Sequence, residues 1–191
     1  MATRHQGEPC PWWLGYVLTN PLRKLLQDPA GLAARYVHEG MVVLEPGCGM
    51  GFFTLELARR AGTSGTVVAV DLQPRMLAGL RRRAKSAGLL DHLDIRVAGK
   101  DRLGVSDLAG RVDFVLAFYV VHELANPAGF FTEVRDALRS EGTLLIVEPR
   151  VHGGGDEGIQ ISVDLADRSG LVLLDRPALQ RNQTALLGKR S

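Results

Sequence analysis

Three glycines at alternate positions, Gly47, Gly49 and Gly51, follow a short apolar run and precede a stretch with helical spacing. Residues 41–44 are predicted as a buried strand and residues 52–61 as a helix. Glycine tolerates positive φ and, lacking a Cβ, lets a ligand approach the backbone closely. The sequence therefore predicts a strand–turn–helix unit with a ligand at the turn.

The spacing of the glycines narrows the class of ligand. The turn reads G-x-G-x-G from Gly47, whereas the fingerprint of dinucleotide-binding turns is G-x-G-x-x-G. A pyrophosphate favours the dinucleotide spacing, while an amino-acid carboxylate and a ribose also fit the spacing found here. A nicotinamide-dependent reductase is therefore the weaker hypothesis.

Apolar β-branched runs alternate with helical stretches along the rest of the chain, which is typical of βαβ units and a parallel sheet. The further strands are predicted at residues 66–70, 93–97, 112–118, 143–147, 171–174 and 184–187, with helices at 74–87, 127–139 and 159–168. The connection 175–183 is too short for a helical crossover, so the last two strands should be antiparallel. This pattern predicts an α/β fold with five parallel strands and a terminal antiparallel hairpin.

The first 40 residues differ from the remainder and are predicted to be a lead-in or cap segment, with one domain over 41–191. At 191 residues the chain is long enough for one sizeable core. Trp12, Trp13 and Tyr16 are expected to form an apolar lid over a small or planar substrate. The alternative is that these aromatic side chains cover a sheet edge or a dimer contact.

Composition excludes several classes of protein. The formal net charge is only +2, so a nucleic-acid partner is not expected. No apolar run approaches the roughly 18 residues of a membrane span. Cys10 and Cys48 do not have the spacing of metal ligands, so no metal site is expected. The sequence shows no signal-peptide pattern, so we expect a cytoplasmic protein without a disulfide. The basic cluster 81–83 with Lys85 is expected to be a solvated helix face.

Two acids accompany the glycine turn. Asp71 comes twenty residues after Gly51, at the end of the second predicted strand, where a carboxylate can accept hydrogen bonds from both ribose hydroxyls of a nucleoside. The alternative is that Asp71 caps the helix that begins near Pro74. Glu45 precedes the turn, and its alternative role is that of a polar strand terminus.

Together these segments resemble class I S-adenosylmethionine-dependent methyltransferases. E-P-G-C-G-M-G-F-F-T resembles their motif I, V-V-A-V-D-L resembles their second motif, and D-F-V-L-A-F-Y-V-V-H-E-L is similar to their fourth-strand motif. The last of these is closest to the small-molecule, UbiE-like (methyltransferase-type-11) branch. The resemblance covers residues 33–191 and implies a Rossmann-like three-layer α-β-α sandwich. Its seven-stranded, mostly parallel sheet would have the order 3-2-1-4-5-7-6, with the last strand antiparallel.

The resemblance also implies S-adenosylmethionine as cofactor and assigns residues to it. The methionine part would lie against the turn, the ribose on Asp71, the adenine beside Leu72, and the reactive methyl near Phe118. The segment Gly99-Lys100-Asp101 departs from the family pattern, because Lys100 stands where an acid is common. The full set of cofactor residues is Glu45, Gly47, Cys48, Gly49, Asp71, Leu72, Gly99, Lys100, Asp101 and Phe118.

Methyl transfer from a sulfonium depends mainly on proximity and in-line orientation, so a general base is optional. His122 and Glu123 are the candidates for a base, because they follow the fourth strand. The alternative is that His122 is a loop residue satisfied by the backbone. The expected function is methyl transfer to an O, N or C nucleophile of a small molecule, without a membrane partner and with a homodimer left open. An RNA or protein methyltransferase and a non-catalytic cofactor-binding module remain the alternatives.

Overall fold

The computed structural model of the chain describes residues 27–149, 156–179 and 182–190. The predicted lid residues Trp12, Trp13 and Tyr16 lie outside these ranges, as does most of the lead-in segment. The described residues fall into two compact units, one ending at Ala98 and one beginning at Gly99. Within these residues no helix is long and apolar enough to cross a membrane.

The first unit alternates helices with parallel strands. Strand β2 pairs in parallel with both β1 and β3, and its valines are almost fully buried, as expected for a strand covered on both faces. Asp28 caps α1, since its carboxylate accepts a hydrogen bond from the amide of Gly31 at 2.9 Å. The elements are α1 (Pro29–Tyr36), β1 (Val42–Pro46), α2 (Thr54–Ala61), β2 (Thr66–Asp71), α3 (Pro74–Ser86) and β3 (Leu93–Val97).

The second unit contains the antiparallel hairpin. Strand β5 pairs in parallel with β4 and antiparallel with β7, and β7 pairs antiparallel with β6. The elements are β4 (Val112–Phe118), α4 (Pro127–Ala137), β5 (Leu138–Pro149), α5 (Asp156–Arg168), β6 (Leu171–Asp175) and β7 (Asn182–Lys189). The strand order is β3-β2-β1-β4-β5-β7-β6. The predicted α/β fold class and strand order are confirmed.

One predicted boundary is wrong. Helix α4 ends at Ala137 and not near residue 139, and β5 begins at once, at Leu138. Leu138 has extended backbone and pairs with Val112, which accounts for its complete burial. The register then shifts before Phe114 pairs with Thr143. Gly142 allows this irregularity, since a Cβ there would lie 2.7 Å from the carbonyl oxygen of Val112.

Candidate functional site

The glycine turn has the backbone that its sequence predicts. Gly47, Gly49 and Gly51 have φ angles of 68°, 55° and 80°, in the region that L side chains rarely adopt. A Cβ at Gly51 would collide with the side chain of Leu80, whereas a Cβ at Gly49 would meet no atom within 4 Å. Gly51 is therefore required by packing, and Gly49 faces open space.

Three amides of the turn donate hydrogen bonds inside the protein. The Cys48 amide donates to the carbonyl of Val70 at 3.1 Å, and the Gly51 amide to the carbonyl of Cys48 at 2.9 Å. The Gly49 amide donates to the Asp71 carboxylate at 2.9 Å. A phosphate site needs such amides free to point at the anion. This turn uses them for its own structure.

Asp71 ends β2 and is joined directly to the turn. One carboxylate oxygen accepts from the amide of Gly49, and the other accepts from the amide of Gln73 at 2.8 Å. The N-cap residue of α3 is Gln73. Asp71 accepts a hydrogen bond from the amide of this N-cap residue and therefore does not occupy the N-cap position itself. Burial raises the pKa of Asp71, and the two amides act against that shift. Each carboxylate oxygen has a second lone pair, so each can still accept a hydrogen bond from a ligand hydroxyl.

Glu45 lies deep beneath the turn. Its side chain is buried, and Glu45 Oε2 and Thr54 Oγ1 each make no hydrogen bond of good geometry among the described residues. Burial raises the pKa of Glu45 to about 8, while the neighbouring Thr54 hydroxyl acts in the opposite direction and the charge of Asp71 adds to the rise. A buried carboxylate with an unmatched oxygen is costly unless a ligand pairs with it.

Helix α3 braces the turn from one side. Arg83 Nη1 donates to the carbonyl of Met50 at 2.5 Å. Gly79, one helical turn before Arg83, leaves room for the Met50 side chain, because a Cβ there would lie 2.9 Å from Met50 Cγ. The expectation of a solvated face is therefore wrong for Arg83, although Arg81, Arg82 and Lys85 are exposed.

The residues assigned to the adenine are more exposed than their neighbours. Leu72, the first residue after β2, keeps 42 % of its surface exposed, although it is large and apolar. Val97, which ends β3 and was not assigned to the cofactor, keeps 58 % of its surface exposed. In the second unit Gly99, Lys100 and Asp101 are also exposed, and the Gly99 amide donates to the carbonyl of Arg102. The role of this last segment stays a prediction, as does that of Cys48, whose thiol is free and buried.

Strand β4 ends in a strained turn. Tyr119 is the only non-glycine residue with positive φ, 56°, among the described residues. Its ring lies 4.4 Å from that of Phe118, its amide donates to the carbonyl of Val147, and its hydroxyl donates to Asn182 Oδ1. Strain of this kind persists where the surroundings hold it and is common at functional sites.

The turn that follows brings His122 to Glu148. Residues Val121–Glu123 form a short 3-10 turn, and His122 Nδ1 lies 2.5 Å from Glu148 Oε2. The other oxygen, Glu148 Oε1, accepts from the amides of Val121 at 3.0 Å and His122 at 3.3 Å. Glu123 Oε1 lies 4.0 Å from His122 Nε2. Sequence reasoning missed Glu148, whose only signal is an acid at the end of an apolar strand.

The described residues contain no cluster of three or more His, Cys, Asp or Glu side chains that could hold a metal ion.

This fold, with an acid joined to a glycine turn, defines the class I methyltransferase architecture. The profile of the family described as "Methyltransferase domain" matches residues 37–169. The chain therefore belongs to this methyltransferase family, which confirms the resemblance and assigns S-adenosylmethionine as its cofactor.

Individual relatives agree with the family. The chain is 28 % identical to a ubiquinone biosynthesis O-methyltransferase of Cereibacter sphaeroides over 74 % of this chain and 52 % of that protein. It is 30 % identical to a catechol O-methyltransferase of Mycobacterium tuberculosis over 78 % of this chain and 66 % of that protein. A SAM-dependent methyltransferase of Aquifex aeolicus has the same fold, with a TM-score of 0.83 at 21 % identity, over 96 % of this chain and 100 % of that one. The chain spans about half the length of the first of these relatives.

Proposed function

We propose that this protein binds S-adenosylmethionine at the glycine turn and transfers its methyl group to a nucleophilic oxygen, nitrogen or carbon of a small molecule. The observation that carries the proposal is the pair of acids at the turn, of which Glu45 can ionise against a bound cation. Glu45, which is buried, and Asp71, which is half-buried, flank a loop whose amides at Cys48, Gly49 and Gly51 are already used. Such a site favours a cationic nucleoside over a phosphate-bearing one.

The residues of the first unit fit this cofactor part by part. Glu45, with its unmatched buried oxygen, would pair with the ammonium of the methionine part. The open side of Gly49 would let that part pass close to the backbone. Asp71 would accept the ribose hydroxyls, and the exposed apolar surface of Leu72 and Val97 would cover the adenine. When bound, S-adenosylmethionine supplies an electrophilic methyl group on a sulfonium.

The substrate side of the proposal rests on the relatives and on charge. Two relatives are named for ubiquinone biosynthesis and for catechol, both as O-methyltransferases, which favours a hydroxyl-bearing aromatic acceptor. A formal net charge of +2 gives little support to a nucleic-acid substrate. We also propose a cytoplasmic location, with which the free thiol of Cys48 is consistent. Whether the protein forms a homodimer is tested by measuring its mass in solution.

Replacing Asp71 by alanine tests the proposal. We expect Asp71→Ala to weaken S-adenosylmethionine binding about tenfold or more by calorimetry, because hydrogen bonds to a charged group are lost. The control is Asp94→Ala, which removes another strand acid, one paired with Arg96. Asp94→Ala should bind S-adenosylmethionine with the affinity of the wild type. Neither the wild type nor this control should bind NADH. Unchanged affinity in Asp71→Ala, with an unfolding temperature equal to that of the control, contradicts the proposal.

A further inference from the structure

Thr54 carries a buried hydroxyl that its own helix does not use. The residue begins α2 and is completely buried, and its Oγ1 makes no hydrogen bond of good geometry among the described residues. A hydroxyl within a helix can donate to the carbonyl four residues earlier, as Thr132 does to Ala128 at 3.0 Å. The carbonyl four residues before Thr54 is that of Met50, which accepts from Arg83 instead.

The fold of the described residues does not account for a threonine at this position. A buried hydroxyl without a partner costs free energy that an apolar group of the same shape does not. The N-cap residue of α2 is Phe53, so the Thr54 hydroxyl does not cap the helix either. A role outside the helix is therefore required.

The group that this hydroxyl can serve is the carboxyl of Glu45, which is buried beneath the same turn. Burial raises the pKa of Glu45, and the Thr54 hydroxyl lies close enough to act against that shift. Thr54 Oγ1 also lies 3.3 Å from the position of a Cβ on Gly51, directly against the glycine turn. An ionised carboxylate is an acceptor with about four lone-pair sites, so it can accept from a hydroxyl and from an ammonium together.

We infer that Thr54 is a positioning residue for the cofactor, whose hydroxyl donates to the Glu45 carboxylate and holds that acid in its charged form against the ammonium of the methionine part. This inference rests on the proposed function and adds to it a residue that does not touch the cofactor. When the cofactor binds, Glu45 gives its proton to solvent, accepts from the Thr54 hydroxyl and pairs with the ammonium. A hydrogen bond to the charged form of an acid favours that form.

Two substitutions of Thr54 separate this role from a structural one, because stability and affinity should change in opposite directions. Thr54→Val removes an unmatched hydroxyl, so the unfolding temperature without ligand should rise by about 2–4 °C. Its affinity for S-adenosylmethionine at pH 7, measured by calorimetry, should fall about tenfold, the equivalent of one pKa unit. Thr54→Ser keeps the hydroxyl and loses a methyl group, so it should be less stable but bind with the wild-type affinity.

Three results of this pair would overturn the inference. They are a lower unfolding temperature in Thr54→Val, wild-type affinity in Thr54→Val, and a loss of affinity in Thr54→Ser as large as that in Thr54→Val.

The matched ligand is 5′-methylthioadenosine, which has the nucleoside and the sulfur of the cofactor but lacks the ammonium. Thr54→Val should bind this ligand as tightly as the wild type does. An equal loss of affinity for both ligands would mean that the hydroxyl supports only the shape of the turn, and would overturn the inference. If the wild type does not bind S-adenosylmethionine, the proposed function itself is contradicted, so the two failures are distinguishable.

A double substitution tests whether Thr54 acts through Glu45. In the Glu45→Gln background, Thr54→Val should lower the affinity for S-adenosylmethionine by less than about twofold, because no carboxylate remains for the hydroxyl to hold. Effects of independent residues would add, so a second tenfold loss in the double variant overturns the inference.

The surroundings of Glu45 give the loss a pH dependence. Burial, together with the charge of Asp71 at the end of β2, raises the pKa of Glu45 to about 8. Burial also raises the pKa of the Cys48 thiol well above its usual range, so this group stays neutral near pH 8. The cation on α3 that reaches the turn is Arg83, which donates to a backbone carbonyl.

The tenfold loss in Thr54→Val should therefore shrink as the pH rises. At pH 7 Glu45 has to lose a proton before it can pair with the ammonium, and this costs more without the hydroxyl. At about pH 9 most of the wild-type acid is already ionised, and the loss should be only about twofold. A loss that remains tenfold at both pH values overturns the inference.

Discussion

Glu45 and Glu148 have the same position within their strands, one in each compact unit, but they differ in the hydrogen bonds that their carboxyl groups make. Each is the second-to-last residue of a parallel strand, each precedes a proline, and each is 3 % exposed. Glu148 receives two backbone amides and an imidazole. Glu45 has an oxygen that no described residue satisfies, and its pKa rises to about 8.

The difference indicates which acid belongs to a ligand. The carboxylate of Glu148 is satisfied by its own chain, because it contacts two backbone amides and the imidazole of His122. A buried acid left unmatched costs free energy of folding, and that cost is recovered when a cation binds. The unmatched oxygen of Glu45 therefore supports the proposal that the cofactor binds in the first unit, whereas the hydrogen bonds of Glu148 hold the turn that follows β4.

The largest predicted effect is on the pH dependence of stability. Because the folded pKa of Glu45 lies above its reference value of 4.5, the folded state holds a proton that the unfolded state has lost between about pH 4.5 and 8. Stability from this group is therefore highest below that window and falls, as pH rises through it, by at most about 1.4 kcal/mol per pH unit.

Glu45→Gln should remove this slope. Its unfolding free energy relative to the wild type should increase between about pH 5 and pH 8, as measured by urea denaturation. Glu148→Gln is the matched comparison and should be less stable than the wild type at every pH, since it disturbs satisfied hydrogen bonds. If the difference in unfolding free energy between Glu45→Gln and the wild type does not change with pH, the proposed contrast between Glu45 and Glu148 is contradicted.

The second effect concerns the open side of the turn. Gly49→Ala should weaken S-adenosylmethionine binding about 100-fold, because the new methyl group enters the space proposed for the ligand. Gly88→Ala is the control, since Gly88 also has positive φ, 68°, and open space for a Cβ. Both variants should lose similar stability, but Gly88→Ala should bind the cofactor normally. Equal affinities in calorimetry would place the ligand elsewhere.

The smallest predicted effect tests whether the hydrogen bond between helix α3 and the glycine turn contributes to cofactor binding. Arg83→Ala removes the bond to the Met50 carbonyl and should weaken S-adenosylmethionine binding about fivefold, the scale of one hydrogen bond. Arg81→Ala removes a bond of the same kind from the same helix to Ile95 and should leave binding unchanged. If both variants bind alike, bracing by α3 does not contribute to binding.

The sequence predicted the parts of the site that depend on local pattern. Strand periodicity, glycine spacing and the position of Asp71 sufficed to place an acid beside the turn, because strand–turn–helix units are local. Which arginine reaches Met50 depends on the phase of α3, and Gly79 and Arg83 share a face only because they are four residues apart.

The pairing of Glu148 with His122 could not be predicted in the same way. The two residues lie 26 positions apart, and their contact depends on the register of β5 and on the backbone of Tyr119. The predicted β5 ended at Val147, one residue before Glu148. Its start was also misplaced, because the helix-forming residues after Ala137 hide a strand whose first residue pairs with Val112.

The most direct test of the central claim is the number of protons released when S-adenosylmethionine binds. Calorimetry in two buffers of different ionisation enthalpy at about pH 7 measures it. Glu45 is protonated at that pH in the free protein and should ionise against the ligand's ammonium, so the wild type should release close to one proton more than Glu45→Gln. Equal proton release by the two proteins would contradict the assignment of Glu45 to the cofactor.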